Sequence, residues 1–284
     1  MTLPNFLVVG AMKSGTTTLY RDLESHAGVQ LFEKEASPLL SAGSVRKYER
    51  GFTADDRLRG DVSTHYTMRP HYDGAAERAA KYLPADTKVV YIVRDPVRRA
   101  VSHFLHWSTD ARFEVPEDVN DAVREVEELT AWGGYGTQIE PWLDAFGPAN
   151  VRLIRFEDYV ADRGGEFAGL CRWLGLDPAE ATITQAAHNR SEGKLVLGEF
   201  WAKVRHSPAY EHVRRFLPQV LKEQAKRAVM RPAETKRPQP SEAAIAELVS
   251  RLRPEVAKLR SLFGPDAPTW EWAEEPAETD AVAA

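Results

Sequence analysis

A chain of 284 residues, 43% of them hydrophobic, is long enough to form one large domain with a sizeable core. Its 37 basic and 42 acidic residues give a net charge of −5, which does not suggest a nucleic-acid-binding or membrane-surface protein. The single cysteine, Cys171, excludes an intramolecular disulfide and a cysteine-based zinc cluster.

The N-terminal residues enter an apolar run directly, without a basic leader. That run is only about five residues long, too short for a signal peptide or a membrane-spanning helix. We therefore expect no membrane span and a cytoplasmic enzyme. A composition rich in Ala, Arg, Glu and Pro favours a bacterial source.

Short apolar runs rich in β-branched residues predict buried parallel strands at residues 6–9, 89–93 and 151–154, with a weaker strand at 58–62. Helical patterns occur at residues 16–26, 72–82, 97–107, 117–131, 135–146 and 166–174. This alternation is typical of βαβ units. The sequence therefore predicts an α/β fold, a P-loop-like three-layer α/β/α arrangement with a central parallel sheet and additional C-terminal helices.

No strand pattern is recognised beyond about residue 189. Helices are predicted at residues 210–228 and 242–262, the second capped by Ser241, with a proline-rich linker between them. Residues 273–284 are acidic and alanine-rich and are expected to be disordered. We predict a single domain over residues 1–272, with a core at about 5–190 and a helical part at about 195–272.

A glycine-bracketed loop follows the first predicted strand. Gly10 and Gly15 keep the spacing of a phosphate-binding Walker loop, and a predicted helix begins directly after them. In a Walker loop the lysine follows the second glycine, whereas here Thr16 follows Gly15 and the lysine is upstream, at Lys13. This argues against an ordinary ATPase or GTPase, and the alternative is a plain strand-to-helix turn.

Arg94 stands directly after the predicted strand at residues 89–93, where ligands bind in open α/β sheets. Pro96 is placed to open a helix, and Ser102 lies about two helical turns into it. The arginine can offer two parallel donors to a phosphate. A helix start with surface arginines is the alternative.

Residues 13–17, K-S-G-T-T, resemble the 5′-phosphosulfate loop of sulfotransferases that use 3′-phosphoadenosine 5′-phosphosulfate (PAPS). Residues 94–104, R-D-P-x-R-x-x-x-S-x-F, resemble the 3′-phosphate motif of the same family, and the similarity extends over about residues 5–195. The resemblance implies that Lys13 stabilises the leaving phosphate. It also implies PAPS-binding roles for several further residues, namely Ser14, Gly15, Thr16, Thr17, Arg94 and Ser102.

The resemblance also points to a general base. In the glycan-modifying and bacterial branch, a glutamate after a lysine takes the acceptor proton, and Glu35 fits this place, with Glu33 as the neighbouring alternative. Residues 60–66 resemble the family segment G-E-K-S-P-x-Y, but Val62 replaces its lysine. The same segment holds His65, a second candidate, because histidine titrates near neutral pH.

In the family, a basic, glycine-containing loop folds over the nucleotide, and Arg190 and Lys194 are the corresponding candidates. The resemblance as a whole implies sulfuryl transfer from PAPS to an acceptor hydroxyl on a glycan, glycolipid or natural product. No metal is expected. The acceptor and the oligomeric state stay open. The alternatives are a nucleotide or adenylylsulfate kinase and a catalytically silent PAPS-binding protein.

Overall fold

The computed structural model describes residues 2–110, 112–183, 195–197, 230–232 and 239–274. A five-stranded sheet forms the centre, in the order β2-β3-β1-β4-β5, and all its neighbouring strands pair in parallel. The strands are β1 (Phe6–Gly10), β2 (Val29–Leu31), β3 (Leu58–Val62), β4 (Lys88–Val93) and β5 (Val151–Arg155). The predicted parallel sheet is confirmed, and every strand ends at the same edge.

Helices connect and cover these strands. They are α1 (Thr16–Glu24), α2 (Tyr48–Gly51), α3 (Ala75–Tyr82), α4 (Pro96–Ser108), α5 (Val119–Glu125), α6 (Glu128–Ala131), α7 (Tyr135–Phe146), α8 (Phe156–Ala161), α9 (Arg163–Leu174), α10 (Glu242–Phe263) and α11 (Glu271–Glu274). The bounds of α7 are those predicted from the sequence. The helix predicted over residues 117–131 is wrong in one respect, because Val126 is extended (φ −101°, ψ 96°) and separates α5 from α6.

Alternating strand residues divide the core into two layers. Leu7 and Val9 of β1 pack with α3, α7 and α10, whereas Phe6 and Val8 pack with α1 and α9 on the opposite face. All four side chains are fully buried. The predicted three-layer α/β/α fold is therefore confirmed. Cys171 lies in the second layer, where burial raises its thiol pKa to about 11, as expected for a structural cysteine.

The C-terminal part departs from the sequence prediction in two ways. Two strands, β6 (Leu195–Leu197) and β7 (Met230–Pro232), pair antiparallel where no strand was expected. Runs of three residues are too short to show a strand period. Residues 273 and 274 belong to α11 and not to the predicted tail. The helix predicted at residues 210–228 lies outside the described residues.

Helix α10 supports the sheet from one side. It begins where Ser241 Oγ accepts a hydrogen bond from Ala244 N (3.2 Å), as the sequence predicted. Further along α10, the Glu255 carboxylate accepts hydrogen bonds from Thr137 N and Thr137 Oγ1, both at 2.9 Å, and so caps the first turn of α7. Across the described ranges, no helix combines the length and apolarity needed to cross a bilayer.

Candidate functional site

The loop between β1 and α1 has the backbone of a phosphate cradle. Lys13 (φ 66°) and Gly15 (φ 91°) lie in the left-handed region, which turns successive N–H groups towards one side. No side chain caps α1, and the N–H groups of Thr16 and Thr17 in its first turn lack partners within the helix. An anion placed at this helix start would receive those donors and the positive end of the helix dipole.

The ring of Phe156 packs against this loop, a role that was not predicted from the sequence. A Cβ on Gly15 would lie 2.5 Å from the Phe156 ring, so the loop needs glycine here. The guanidinium of Arg94 lies 5.2 Å from the centroid of the same ring, and its Nη1 donates to Lys13 O at 3.5 Å. The position of Phe156 directly after β5, beside β4, was the signal in the sequence that could have revealed it.

Arg94 is held at its backbone by α7. The Tyr135 hydroxyl donates to Arg94 O (2.7 Å), and burial lowers the pKa of the Arg94 guanidinium. Arginine stays charged near neutral pH all the same. Ser102 is half-buried on α4, two turns further on, and the described structure contains no hydrogen bond between it and Arg94. The β4–α4 unit thus carries both predicted 3′-phosphate residues, without a hydrogen bond between them.

The C-terminal segment reaches the same strand end. Asp95 caps α4 by accepting from Val97 N (2.9 Å) and Arg98 N (3.0 Å). The indole Nε1 of Trp272 donates to the second carboxylate oxygen of Asp95 at 3.3 Å. The Trp270 ring lies 6.1 Å from that of Tyr135. Residues after α10 therefore contact both the helix cap behind Arg94 and the tyrosine that holds it.

Both predicted base candidates lie together beyond the ends of β2 and β3. Glu35 Oε2 lies 3.5 Å from His65 Nδ1, and the two side chains are 28% and 33% exposed. The Glu35 carboxylate is held by Thr64 N (2.8 Å) at one oxygen and by Lys34 Nζ (2.8 Å) at the other. Glu33, the neighbouring alternative, is exposed and takes no part in these contacts.

Two buried hydroxyls join this cluster and were not predicted from the sequence. Ser37 Oγ lies 2.8 Å from His65 Nδ1 and 2.6 Å from Ser63 Oγ, and Ser63 Oγ donates to Glu35 Oε2 at 3.3 Å. We name Glu35, Ser37, Ser63, Thr64 and His65 the acid–imidazole cluster. Its serines are 26 residues apart in the chain, and no local motif shows that they meet.

A buried carboxylate lies behind the acid–imidazole cluster. Asp61 is fully buried and accepts hydrogen bonds at 2.5 Å from the phenols of Tyr48 and Tyr66. Burial, with a smaller contribution from the charge of Glu35, raises the pKa of Asp61 to about 6 against the opposing effect of the two phenol hydrogen bonds. Val62, which replaces the family's lysine, is fully buried in the sheet core and cannot take that lysine's place.

The phosphate loop and the acid–imidazole cluster lie at neighbouring strand ends. Ser63 N donates to Val8 O (3.0 Å), and Thr67 Oγ1 donates to Val9 O (2.7 Å). These bonds tie the segment that carries His65 to the last residues of β1, directly before the phosphate loop. The sheet edge therefore presents phosphate-binding donors beside candidate proton acceptors, as an in-line group transfer requires.

Arg190 and Lys194 lie outside the described residues. Within the described ranges, no three His, Cys, Asp or Glu side chains group as metal ligands. Trp107 and Trp132 pack in a buried cluster with Met68.

Comparison with known proteins identifies the family. A family model described as the sulfotransferase domain matches residues 3–195, more than half of the chain. The chain belongs to the sulfotransferase family. Its matched region contains both the phosphate loop and the acid–imidazole cluster.

Sulfotransferase relatives and a solved structure agree with this. The chain is 28% identical over 189 residues to heparan sulfate glucosamine 3-O-sulfotransferase 3B1 of Mus musculus, covering 61% of this chain and 46% of the relative. It is 27% identical over 200 residues to the bifunctional heparan sulfate N-deacetylase/N-sulfotransferase 3 of Homo sapiens, covering 62% and 23%. The chain thus spans less than half the length of these relatives.

A sulfotransferase from Alicyclobacillus acidocaldarius shares the fold. Its crystal structure superposes with a TM-score of 0.60 at 22% sequence identity, covering 93% of this chain and 96% of that one. At this identity the likeness shows the fold alone. It extends over nearly the whole chain, beyond the region that the family model matches.

Proposed function

We propose that this protein transfers a sulfuryl group from PAPS to an acceptor hydroxyl. The observation that carries the proposal is the pair of sites at one sheet edge. The phosphate loop holds its lysine at Lys13, before the second glycine, and the acid–imidazole cluster follows the neighbouring strand. Membership of the sulfotransferase family supports the same reaction class.

The residues of the loop fit the 5′-phosphosulfate of PAPS. The N–H groups of Gly15, Thr16 and Thr17 would hold the phosphate oxygens, together with the hydroxyls of Ser14 and the threonines. Lys13 would lie against the oxygen that bridges phosphorus and sulfur and neutralise the charge that develops there. Arg94 would bind the 3′-phosphate through its guanidinium, assisted by Ser102.

Positioning and charge stabilisation account for the transfer, as in phosphoryl transfer. The acceptor oxygen attacks sulfur in line with the leaving phosphate, while Glu35 or His65 takes the acceptor proton. A sulfuryl group carries less charge than a phosphate chain, so lysine and backbone donors suffice without Mg²⁺. The enzyme is therefore proposed to act without a metal.

A sugar is the acceptor class that both relatives favour, because both are named as heparan sulfate enzymes. The 3-O-sulfotransferase supports a hydroxyl acceptor, whereas the N-sulfotransferase is named for transfer to nitrogen. Glycolipids and natural products carry the same chemical group and stay within the proposal. The cytoplasmic location and bacterial source stay predictions from the sequence. A kinase would place its lysine directly after Gly15, where this chain has Thr16.

Calorimetry with two nucleotides tests the donor assignment. We expect 3′-phosphoadenosine 5′-phosphate (PAP) to bind about ten- to a hundredfold more tightly than AMP, since a charge-assisted pair contributes about 1.5–3 kcal/mol. Arg94→Ala should remove most of this difference. Arg50→Ala is the matched control, because Arg50 is exposed on α2 and lies outside the 3′-phosphate motif. Equal affinity for PAP and AMP in the unmodified protein would refute a 3′-phosphate pocket.

Turnover separates the enzyme from a silent binding protein. PAPS labelled in its sulfuryl group should modify at least one acceptor in a panel of glycans, glycolipids and phenolic natural products. Tight PAP binding with no transfer to any of them, and no PAP released with water as acceptor, would support the catalytically silent alternative.

A further inference from the structure

We propose that His65 and Glu35 act as one unit, in which His65 Nε2 takes the acceptor proton and Glu35 orients the ring through the hydroxyls of Ser37 and Ser63. This inference rests on the proposed function. His65 is the catalytic residue in this arrangement, and the other three are positioning residues. The chain of contacts runs from His65 Nδ1 to Ser37 Oγ (2.8 Å), to Ser63 Oγ (2.6 Å) and to Glu35 Oε2 (3.3 Å).

The acceptors around the two serine hydroxyls set the direction of the hydrogen bond to the ring. An ionised carboxylate only accepts, so the Ser63 hydroxyl donates to Glu35. Ser37 Oγ has a single hydrogen, which is donated either to Ser63 Oγ (2.6 Å) or to the backbone oxygen of Glu35 (3.1 Å), and in both cases Ser37 Oγ accepts from a proton on the imidazole. The other groups near Nδ1 are Ser63 Oγ at 3.4 Å and the carboxylate oxygen Glu35 Oε2 at 3.5 Å. His65 is therefore held with its proton on Nδ1 and its lone pair on Nε2.

The surroundings of the ring leave Nε2 available. Within the described ranges Nε2 has no hydrogen-bond partner, and a third of the His65 side chain is exposed. The ring packs edge-on against Tyr72 at 5.3 Å between centroids, a contact that restrains the plane of the ring. An acceptor bound at this edge of the sheet would meet Nε2.

Glu35, in contrast, already serves as an acceptor on both oxygens. Oε2 accepts from Thr64 N (2.8 Å), Thr64 Oγ1 (3.2 Å) and Ser63, while Oε1 accepts from Lys34. A carboxylate held by so many donors is anchored in place. Its negative charge, 3.5 Å from Nδ1, is positioned to stabilise an imidazolium.

The reaction balances with this assignment. The acceptor O–H gives its proton to Nε2 of His65 as its oxygen forms the new bond to sulfur. The bond between sulfur and the 5′-phosphate oxygen breaks, and its electron pair leaves with PAP, beside Lys13. The imidazolium then releases its proton to water, which restores the starting tautomer. The logic is that of an acid-oriented histidine, with two hydroxyls between acid and ring.

The tautomer is directly measurable in the protein without any substrate. In ¹⁵N-histidine-labelled protein at about pH 8.5, above the ordinary histidine pKa of about 6.5, we expect His65 to carry its proton on Nδ1. His65→Gln assigns the signal. Ser37→Ala should shift the population towards the Nε2–H form, whereas Ser41→Ala, a change at an exposed serine, should not. An Nε2–H tautomer in the unmodified protein would overturn the proposal.

Kinetics supply the second readout, with phenol as the acceptor probe and PAP release from PAPS as the signal. His65→Ala should lower kcat by about 10²–10⁴ with PAP affinity unchanged, and added imidazole should restore part of it. Glu35→Gln and Ser37→Ala should each cost less, about tenfold, and gain nothing from imidazole. An active His65→Ala beside an inactive Glu35→Gln would assign the proton to glutamate instead.

The two proposals fail in distinguishable ways. Loss of the PAP-over-AMP preference in calorimetry removes the proposed function whatever the tautomer is. Normal PAP binding with the wrong tautomer removes only the serine relay. The tautomer measurement decides the relay even where phenol is a poor acceptor.

Discussion

Replacing Asp61 by asparagine should change how the stability of the protein depends on pH. Asp61 is fully buried, and burial raises its pKa from 3.8 to about 6. A carboxyl whose folded pKa is raised favours the folded state at low pH, and this contribution is lost as pH rises through about 6. The difference between the unfolded and folded pKa values corresponds to about 3 kcal/mol of stability, of which about 2 kcal/mol is lost between about pH 4.5 and 7.5.

The Asp61→Asn side chain is neutral at every pH and still offers an oxygen to the phenols of Tyr48 and Tyr66. Relative to the unmodified protein, its free energy of unfolding should therefore rise by about 2 kcal/mol as pH increases over that range. Urea unfolding at several pH values, with equal slopes for both proteins, measures this difference. Asp86→Asn is the control, because Asp86 is exposed.

Parallel curves of unfolding free energy against pH for Asp61→Asn and the unmodified protein would refute the reasoning. They would mean that Asp61 has the same pKa in the folded and unfolded states. A second measurement tests the role of its neighbour. The charge of Glu35 contributes to the raised pKa of Asp61. In Glu35→Gln the stability lost as pH rises should therefore be smaller, and the loss should be complete at a lower pH.

Three further outcomes are expected. Activity should survive EDTA, since no step is assigned to a metal, and strict dependence on Mg²⁺ would favour the kinase alternative. Gly15→Ala should cost about 1–3 kcal/mol and weaken PAP binding, because its Cβ would lie 2.5 Å from Phe156 at φ 91°; Gly164→Ala, with no atom within 4 Å of its Cβ, is the thermal-melting control. His103→Phe should reduce acid sensitivity, because burial, with the charge of Arg99, lowers the His103 pKa from 6.5 to about 2. The unmodified protein should therefore lose stability as pH falls below 6.5, by about 1.4 kcal/mol at about pH 5.5. Urea unfolding of both proteins at about pH 5.5 and at neutral pH checks whether His103→Phe loses less.

Long buried strands and glycine-bounded turns could be predicted from the sequence, because each has a local signature. β1 and β4 are apolar runs, and α7 has both its ends where the pattern placed them. Strand β2 was not predicted, because a run of three residues is too short to show the alternation of a strand. Helix α8 was not predicted, because its six residues are too few to show a helical period.

The candidate site divides in the same way. The phosphate loop and Arg94 could be found because their residues are contiguous and follow strands. Glu35 and His65 were found separately, as alternatives, and only the fold shows that they are neighbours. Ser37 and Ser63 carry no signal of their own, because a serine hydroxyl acquires a role only from the groups that surround it in three dimensions.

The contacts made by residues 239–274 have a practical consequence for anyone who trims this protein. The region that defines the family ends at residue 195, which invites expression of that region alone. Such a fragment would lose Glu255 from the first turn of α7 and the Trp272 indole from Asp95. It would also uncover the face of α7 against which α10 packs with the buried residues Val256 and Leu259. An expressed fragment should therefore extend through the end of α11. A fragment that ends near residue 195 is expected to aggregate.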